Sequence, residues 1–129
     1  HLSGMQKSAK TPDEKQMTRR LFNYLSLMSY LYADGSLKNN QTVAAGKYLM
    51  IYEKSDPTNP EVYFLKALHY AMEGKTNAIL PALRKAAGNG FKDVKRLEDN
   101  IYFSGLRQTP TFRKILLQVK ENKKAEEGS

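Results

Sequence analysis

The stretch KSDPTNPEVYFLKALHYAMEGK, residues 54–75, decides the fold because it stops one helix, starts another and closes on a glycine. Pro57 and Pro60 lack the N–H that a helical ladder needs, so no helix is expected to run through SDPTNP. Asn59 offers a side-chain oxygen as a cap, Pro60 fits the first turn with its preset φ, and Glu61 complements the positive end of the new helix. Tyr63, Ala67, Tyr70 and Ala71 then recur at helical spacing until Gly74 ends the helix. Punctuation of this kind separates two packed helices.

The same signals extend in both directions. Upstream, Thr11 is expected to cap a long helix, with Pro12 at its first position and Glu14 as the carboxylate of a capping box. Leu21, Tyr24, Leu25, Met28, Leu31 and Tyr32 give that helix its apolar face, and Asp34-Gly35 is expected to end it. After the polar stretch SLKNNQ, Val43, Ala44, Lys47, Tyr48, Ile51 and Tyr52 define a second amphipathic helix. Downstream, Ile79, Leu83 and Ala86 share a face of a helix over residues 77–87, terminated by Gly-Asn-Gly. Pro81 is expected to distort its first turn. A short helix follows near residues 92–99, and a last one begins at Thr109-Pro110 with Phe112, Ile115, Leu116 and Val119 as its buried stripe. No segment shows strand alternation, so the fold class is all-α. Residues 11–120 are read as one helical domain, flanked by flexible segments at 1–10 and 121–129.

Composition narrows the chemistry. The 129 residues carry no cysteine, which excludes disulfides, thiolate metal sites and a cysteine nucleophile while leaving the redox compartment open. No run approaches the roughly 18 apolar residues of a membrane span, and the start has no basic flank followed by an apolar core. The expectation is a soluble chain, cytoplasmic or, with an upstream signal removed, periplasmic or secreted. The net charge of +8 raises polyanion binding, but the bases are scattered along the helices, the pattern of solvated faces.

Taking Pro57 and Asn59-Pro60 as a repeat boundary, the chain resembles a tetratricopeptide repeat, whose period is about 34 residues. Tyr63 takes the large aromatic position, Ala67 the small one, Tyr70 the tyrosine and Gly74 the turn, with Ile79, Leu83 and Ala86 at the packing positions of the second helix. Ala45, Leu49 and Tyr52 match the preceding repeat. Tyr24, Leu27, Met28, Leu31 and Gly35 complete that repeat if residues 36–41 are an insertion. Lys66 stands where a leucine is usual, Ile79 replaces an alanine and Phe91 replaces the closing proline. The resemblance implies a right-handed superhelix of antiparallel helix pairs, about two repeats plus C-terminal capping helices in which Phe91, Leu97, Leu106 and Phe112 cover the last face.

The resemblance also implies a function, that of a noncatalytic scaffold binding a protein or peptide in the concave groove. By its register the groove positions are Leu25, Ser29 and Tyr32 in the first repeat and Glu61, Phe64, Leu68, Ala71 and Met72 in the second. That groove either receives a partner's helix or extended segment or is filled by the chain's own terminal helix. The alternative reading is a basic surface made by Arg84, Lys85, Lys92, Lys95, Arg96, Arg113 and Lys114, which would hold nucleic acid or an anionic membrane. Homodimerisation through an exposed end face is a further expectation.

No catalytic, cofactor or metal site is read from the residues. His69 stands alone on its helix, flanked by Leu68 and Tyr70, as a structural histidine does. Glu98 and Asp99 are adjacent and diverge on a helix, which suits helix-end solvation better than paired acid-base work. AAGKY has the Gly-Lys of a phosphate loop but lacks its earlier glycine and its following Ser/Thr. The tyrosines are read mainly as packing residues, with base stacking as the lesser alternative.

Overall fold

The structure, a computed structural model, describes residues 12–128, and among them every regular element is helical. The expected cap at Thr11 and the N-terminal segment before it lie outside these residues. In chain order the elements are α1 (Pro12–Lys38), α2 (Thr42–Ser55), α3 (Pro60–Met72), α4 (Thr76–Gly88), α5 (Val94–Asp99), a 3-10 helix (Ile101–Leu106) and α6 (Pro110–Glu127). No helix among the described residues is long and apolar enough to cross a membrane. The chain divides into two compact units within the SDPTNP stretch, the first ending at Pro57 and the second beginning at Thr58.

The first unit is the pair formed by α1 and α2, which pack against each other. Asp34-Gly35 does not end α1. The helix continues to Lys38 because Ser36 and Leu37 are buried, and the Lys38 ammonium closes an i,i+4 ion pair with Asp34 at 2.8 Å. The left-handed residue that turns the chain is Asn40, at φ 58°, where its short polar side chain tolerates that conformation. The insertion read over residues 36–41 is therefore confined to Asn39, Asn40 and Gln41, and Gln41 N donates back to Ser36 O at 2.8 Å.

In α2 the buried residues are Ala45, Leu49, Tyr52 and Ser55, while Val43 is 73% exposed and Ile51 is exposed as well. The apolar face read from Val43 and Ile51 is thus displaced toward the line of Ala45, Leu49 and Tyr52. On α1 the buried side chains are mostly small, among them Ser29, Ala33 and Ser36, as close approach of two helices requires. Tyr30 meets Tyr52 at 6.0 Å between ring centroids, and Tyr32 stacks on Tyr48 at 5.1 Å. Ser26 Oγ donates to Asp56 Oδ2 at 2.9 Å, tying the middle of α1 to the end of α2.

In the second unit α3 and α4 pack as a pair, α6 packs on α4 and α5, and the 3-10 helix touches α3. The caps form where the sequence placed them. Glu61 N donates to Asn59 Oδ1 at 2.9 Å, Pro60 occupies the first turn, and Phe112 N donates to Thr109 Oγ1 at 3.2 Å. Gly74, at φ 75°, lets Lys75 N reach back to Tyr70 O at 2.8 Å, satisfying one of the last carbonyls of α3. Val62, Leu65, Ala67, Ile79, Leu83, Ala86, Leu97, Phe103, Phe112, Ile115 and Val119 build the core.

The last helix runs on through Glu127 rather than fraying from residue 121. Asn122 anchors it, because its Nδ2 donates to Ala87 O at 2.9 Å and Phe91 O at 2.8 Å and so meets carbonyls at and beyond the end of α4. Pro81 is accommodated inside α4 on its exposed side.

These assignments predict opposite effects for two substitutions. Asn59→Ala is expected to lower the stability of the second unit by about 1 kcal/mol through loss of the cap. Pro81→Ala is expected to raise it, by up to about 3 kcal/mol, by restoring a ladder donor. Urea unfolding followed by circular dichroism measures both.

Candidate functional site

Two neighbourhoods of the second unit carry charge and aromatic surface together. The first is built on the face of α3 that bears Glu61 and Phe64. Asn59 sets the start of α3 so that Glu61 sits in its first turn, and Asp93 caps α5 by accepting from Arg96 N at 3.2 Å. Arg96 then reaches Glu61 with both ends of its fork, Nη1 to Oε1 at 2.8 Å and Nη2 to Oε2 at 2.6 Å. Its guanidinium carbon lies 4.5 Å from the Phe64 ring centroid and 5.9 Å from that of Phe91. Phe64 and Phe91 stack at 4.6 Å with 10° between their planes, and Phe103 meets Phe64 edge-on at 6.0 Å.

This arrangement corrects two expectations. Phe64 is 1% exposed, sealed under Phe91, Phe103 and the Arg96 guanidinium, so it presents nothing to a partner. Arg96 is a part-exposed clasp whose guanidinium engages Glu61, not one more solvated cation. The cover comes from the α4–α5 connection, α5 and the 3-10 helix. Of the other groove positions, Leu68, Ala71 and Met72 on α3 are half-buried. In the first unit Leu25 is half-buried, Ser29 is buried and Tyr32 is exposed, with its ring on Tyr48.

The remaining residues read as a basic surface divide by partner. Lys92 pairs with Glu126, and Arg113 donates to Gln108 Oε1 at 2.7 Å. Arg84, Lys95 and Lys114 are exposed.

The second neighbourhood lies between α3 and α4, and residue-level reading did not assemble it. A cavity of about 240 Å³ is bounded by Tyr63, Lys66 and Tyr70 of α3 and by Pro81, Ala82 and Lys85 of α4. Positions 63, 66 and 70 follow one helical face, and the small side chains of Ala78 and Ala82 opposite leave the space. Tyr63 is buried, and two ammonium groups flank its ring, Lys85 Nζ at 4.6 Å and Lys66 Nζ at 5.9 Å from the centroid. Such contacts are attractive through the quadrupole of the ring. The one signal in the sequence was Lys66, a cation at a packing position where the resemblance called for leucine.

His69 lies 3.6 Å from Glu73 Oε2, one turn along α3, and Glu73 Oε1 meets Lys75 Nζ at 3.3 Å. Among the described residues no group of His, Asp and Glu is arranged to hold a metal ion.

The clasp predicts that charge alone does not replace the arginine fork. Arg96→Lys is expected to destabilise the second unit by about 1 kcal/mol, discounted for partial exposure, because an ammonium can neither bind Glu61 through two parallel bonds nor lie flat on Phe64. A shift of the urea midpoint at unchanged slope checks it. Compared with known proteins, the chain matches no family model, no curated protein and no solved structure.

Proposed function

We propose that the chain is a noncatalytic protein-binding module of tetratricopeptide-like design, a small scaffold of antiparallel helix pairs that recognises a protein or peptide segment. Support for the repeat comes from its packing positions. Ala45, Leu49 and Tyr52 are buried in the first unit, and Tyr63, Ala67, Ile79, Leu83 and Ala86 in the second, whereas Tyr24, Leu27 and Leu31, the repeat positions read on α1, are exposed. Small residues at 45, 67 and 86 allow helices of a pair to approach closely, as this repeat design requires.

The observation that carries the binding function is the outer surface of the first unit. Met17, Tyr24 and Leu31 recur at every seventh residue of α1 with Leu27 between them, and all are exposed, Tyr24 by 60% and Leu31 by 51%. Val43 and Met50 repeat the same interval on α2 and are also exposed. Seven-residue spacing keeps side chains along one helical seam, and large apolar side chains gathered in a seam mark surfaces that meet other proteins. The partner this fits is an apolar helix face or extended segment.

The test is affinity capture from native lysate at low and high salt, comparing the chain with a Tyr24→Glu/Leu31→Glu variant of verified helicity. Both positions are exposed, so the variant is expected to keep its fold. A salt-resistant protein partner lost in the variant supports the reading. Salt-sensitive capture of nucleic acid or anionic lipid, unchanged in the variant, overturns it in favour of the basic surface, where Arg84, Lys95 and Lys114 would be the contacts.

A further inference from the structure

The seam on α1 carries its own complement. Met17, Arg20, Tyr24, Leu27, Leu31 and Asp34 follow one another at alternating steps of three and four residues, the spacing that keeps side chains on one line of a helix. That line lies opposite Thr18, Ser29, Ala33 and Ser36, which are buried on the other side of α1. Met17, Tyr24, Leu27 and Leu31 are exposed apolar side chains. The remaining two members are charges of opposite sign placed evenly about Leu27, Arg20 two turns before it and Asp34 two turns after it.

A surface that binds a second copy of itself must be complementary under a two-fold rotation, so that when one residue meets another the reverse contact forms as well. Two α1 helices crossing antiparallel, with the axis beside Leu27, meet that condition. At 1.5 Å per residue Arg20 and Asp34 each stand about 10.5 Å from Leu27 along the helix, so Arg20 of each copy falls beside Asp34 of the other. The two Leu27 side chains then meet at the axis, with Tyr24 and Leu31 packed around them. A parallel pairing would set Arg20 against Arg20 and Asp34 against Asp34, and like charges at close range repel. Helix dipoles favour the same choice, because antiparallel helices bring opposite ends together.

Both charges are in a position to serve. Arg20 is exposed. Asp34 already holds the exposed Lys38 ammonium at 2.8 Å through Oδ2, but an ionised carboxylate has two oxygens and accepts from a second cation without losing the first. The guanidinium of a second copy would complete a three-membered network there.

From this balance of charge about an apolar centre we propose that the seam is the interface of a homodimer in which α1 of one copy packs antiparallel on α1 of another, with Tyr24, Leu27 and Leu31 at its centre and an Arg20–Asp34 pair at each end. The proposal rests on the reading of the seam as a protein-binding surface and names its occupant as a second copy of this chain. A single helix pair is a small interface, so the dissociation constant is expected in the micromolar range.

Sedimentation equilibrium of the purified chain from about 1 to 200 µM measures that constant. A monomer–dimer equilibrium is expected, and Tyr24→Glu/Leu31→Glu should abolish it. Arg20→Asp should weaken the dimer about tenfold, the effect of two exposed ion pairs lost, and adding Asp34→Arg should restore it, because the double exchange only swaps the ends of each pair. Circular dichroism verifies the helicity of every variant. Orientation is read by cross-linking, which the absence of cysteine makes specific. A short bis-maleimide should join an Arg20→Cys chain to an Asp34→Cys chain, and should not join two Arg20→Cys chains, whose labelled positions lie about 21 Å apart across the axis. A monomer throughout the concentration range, no recovery in the double exchange, or efficient joining of Arg20→Cys to itself overturns the proposal. A chain that stays monomeric yet captures another protein through Tyr24 and Leu31 keeps the binding function and loses the homodimer.

Discussion

The Arg96 guanidinium lies on the Phe64 ring while its fork holds Glu61, and the arrangement of the second unit depends on that clasp. A charged group partly removed from water destabilises a fold unless its donors are used, and Arg96 uses its fork on one carboxylate and its π face on Phe64 and Phe91. The result connects the first turn of α3 to α5 across sequence-distant chain. With α5 fixed, the 3-10 helix can bring Phe103 edge-on to Phe64, and α6 can pack on α4 and α5. What an open repeat would present as a groove wall is here an aromatic interior. The stack also gives Phe91 a role in place of the proline that the repeat pattern calls for, since a proline could not provide the second ring.

Closing that face redirects attention to the surfaces that remain. On α3, Tyr63, Lys66 and Tyr70 follow a line rotated away from Phe64, and Lys85 of α4 completes the cationic flank around Tyr63. An alternative in which Lys66 were leucine would extend the apolar wall of this cavity. The lysine instead brings a charge with a long apolar stem, which favours a solvated surface over a dry packed one. The seam on α1 has the opposite character: Tyr24, Leu27 and Leu31 supply apolar area and almost no directional chemistry. Apolar area contributes affinity with little discrimination, while placed charges discriminate between partners more than they tighten binding.

How much of this was legible in the sequence follows the range of each signal. The cap at Asn59, the exit at Gly74 and the start at Thr109-Pro110 are settled by neighbours within a few residues, and each formed where local chemistry placed it. Asp34-Gly35 is an equally strong local stop, yet α1 passes through it, because Leu37 one turn later has a buried place and burial outweighs the modest penalty of a helical glycine. On α2 the spacing that chose Val43 and Ile51 missed the buried line for a related reason, while Ala45, Leu49 and Tyr52, the positions matched by the resemblance, are the buried ones. Val43 and Ile51 are the more hydrophobic residues, but it is the small Ala45 that lets α2 come close to α1, so packing geometry chose the line of Ala45, Leu49 and Tyr52.

Phe64 was misplaced because its covering partners are remote in sequence. Arg96 read as one more surface base, and nothing in its own neighbours distinguishes it from Lys92 or Lys95. Only the fold brings it to Glu61, and only then does a cation become a structural part. The same logic applies to Asn122, which sequence alone assigns to a polar tail and which the structure uses to meet two backbone carbonyls. Long polar side chains are the least legible class in a helical protein, since one residue type serves as solvated surface, helix anchor or binding group according to contacts fixed elsewhere. Lys66 and Lys85 belong to that class, and what distinguishes them is the buried ring they share rather than their number on the surface. A net charge of +8 therefore says little about function until each cation has been assigned to an ion pair, a ring or open solvent.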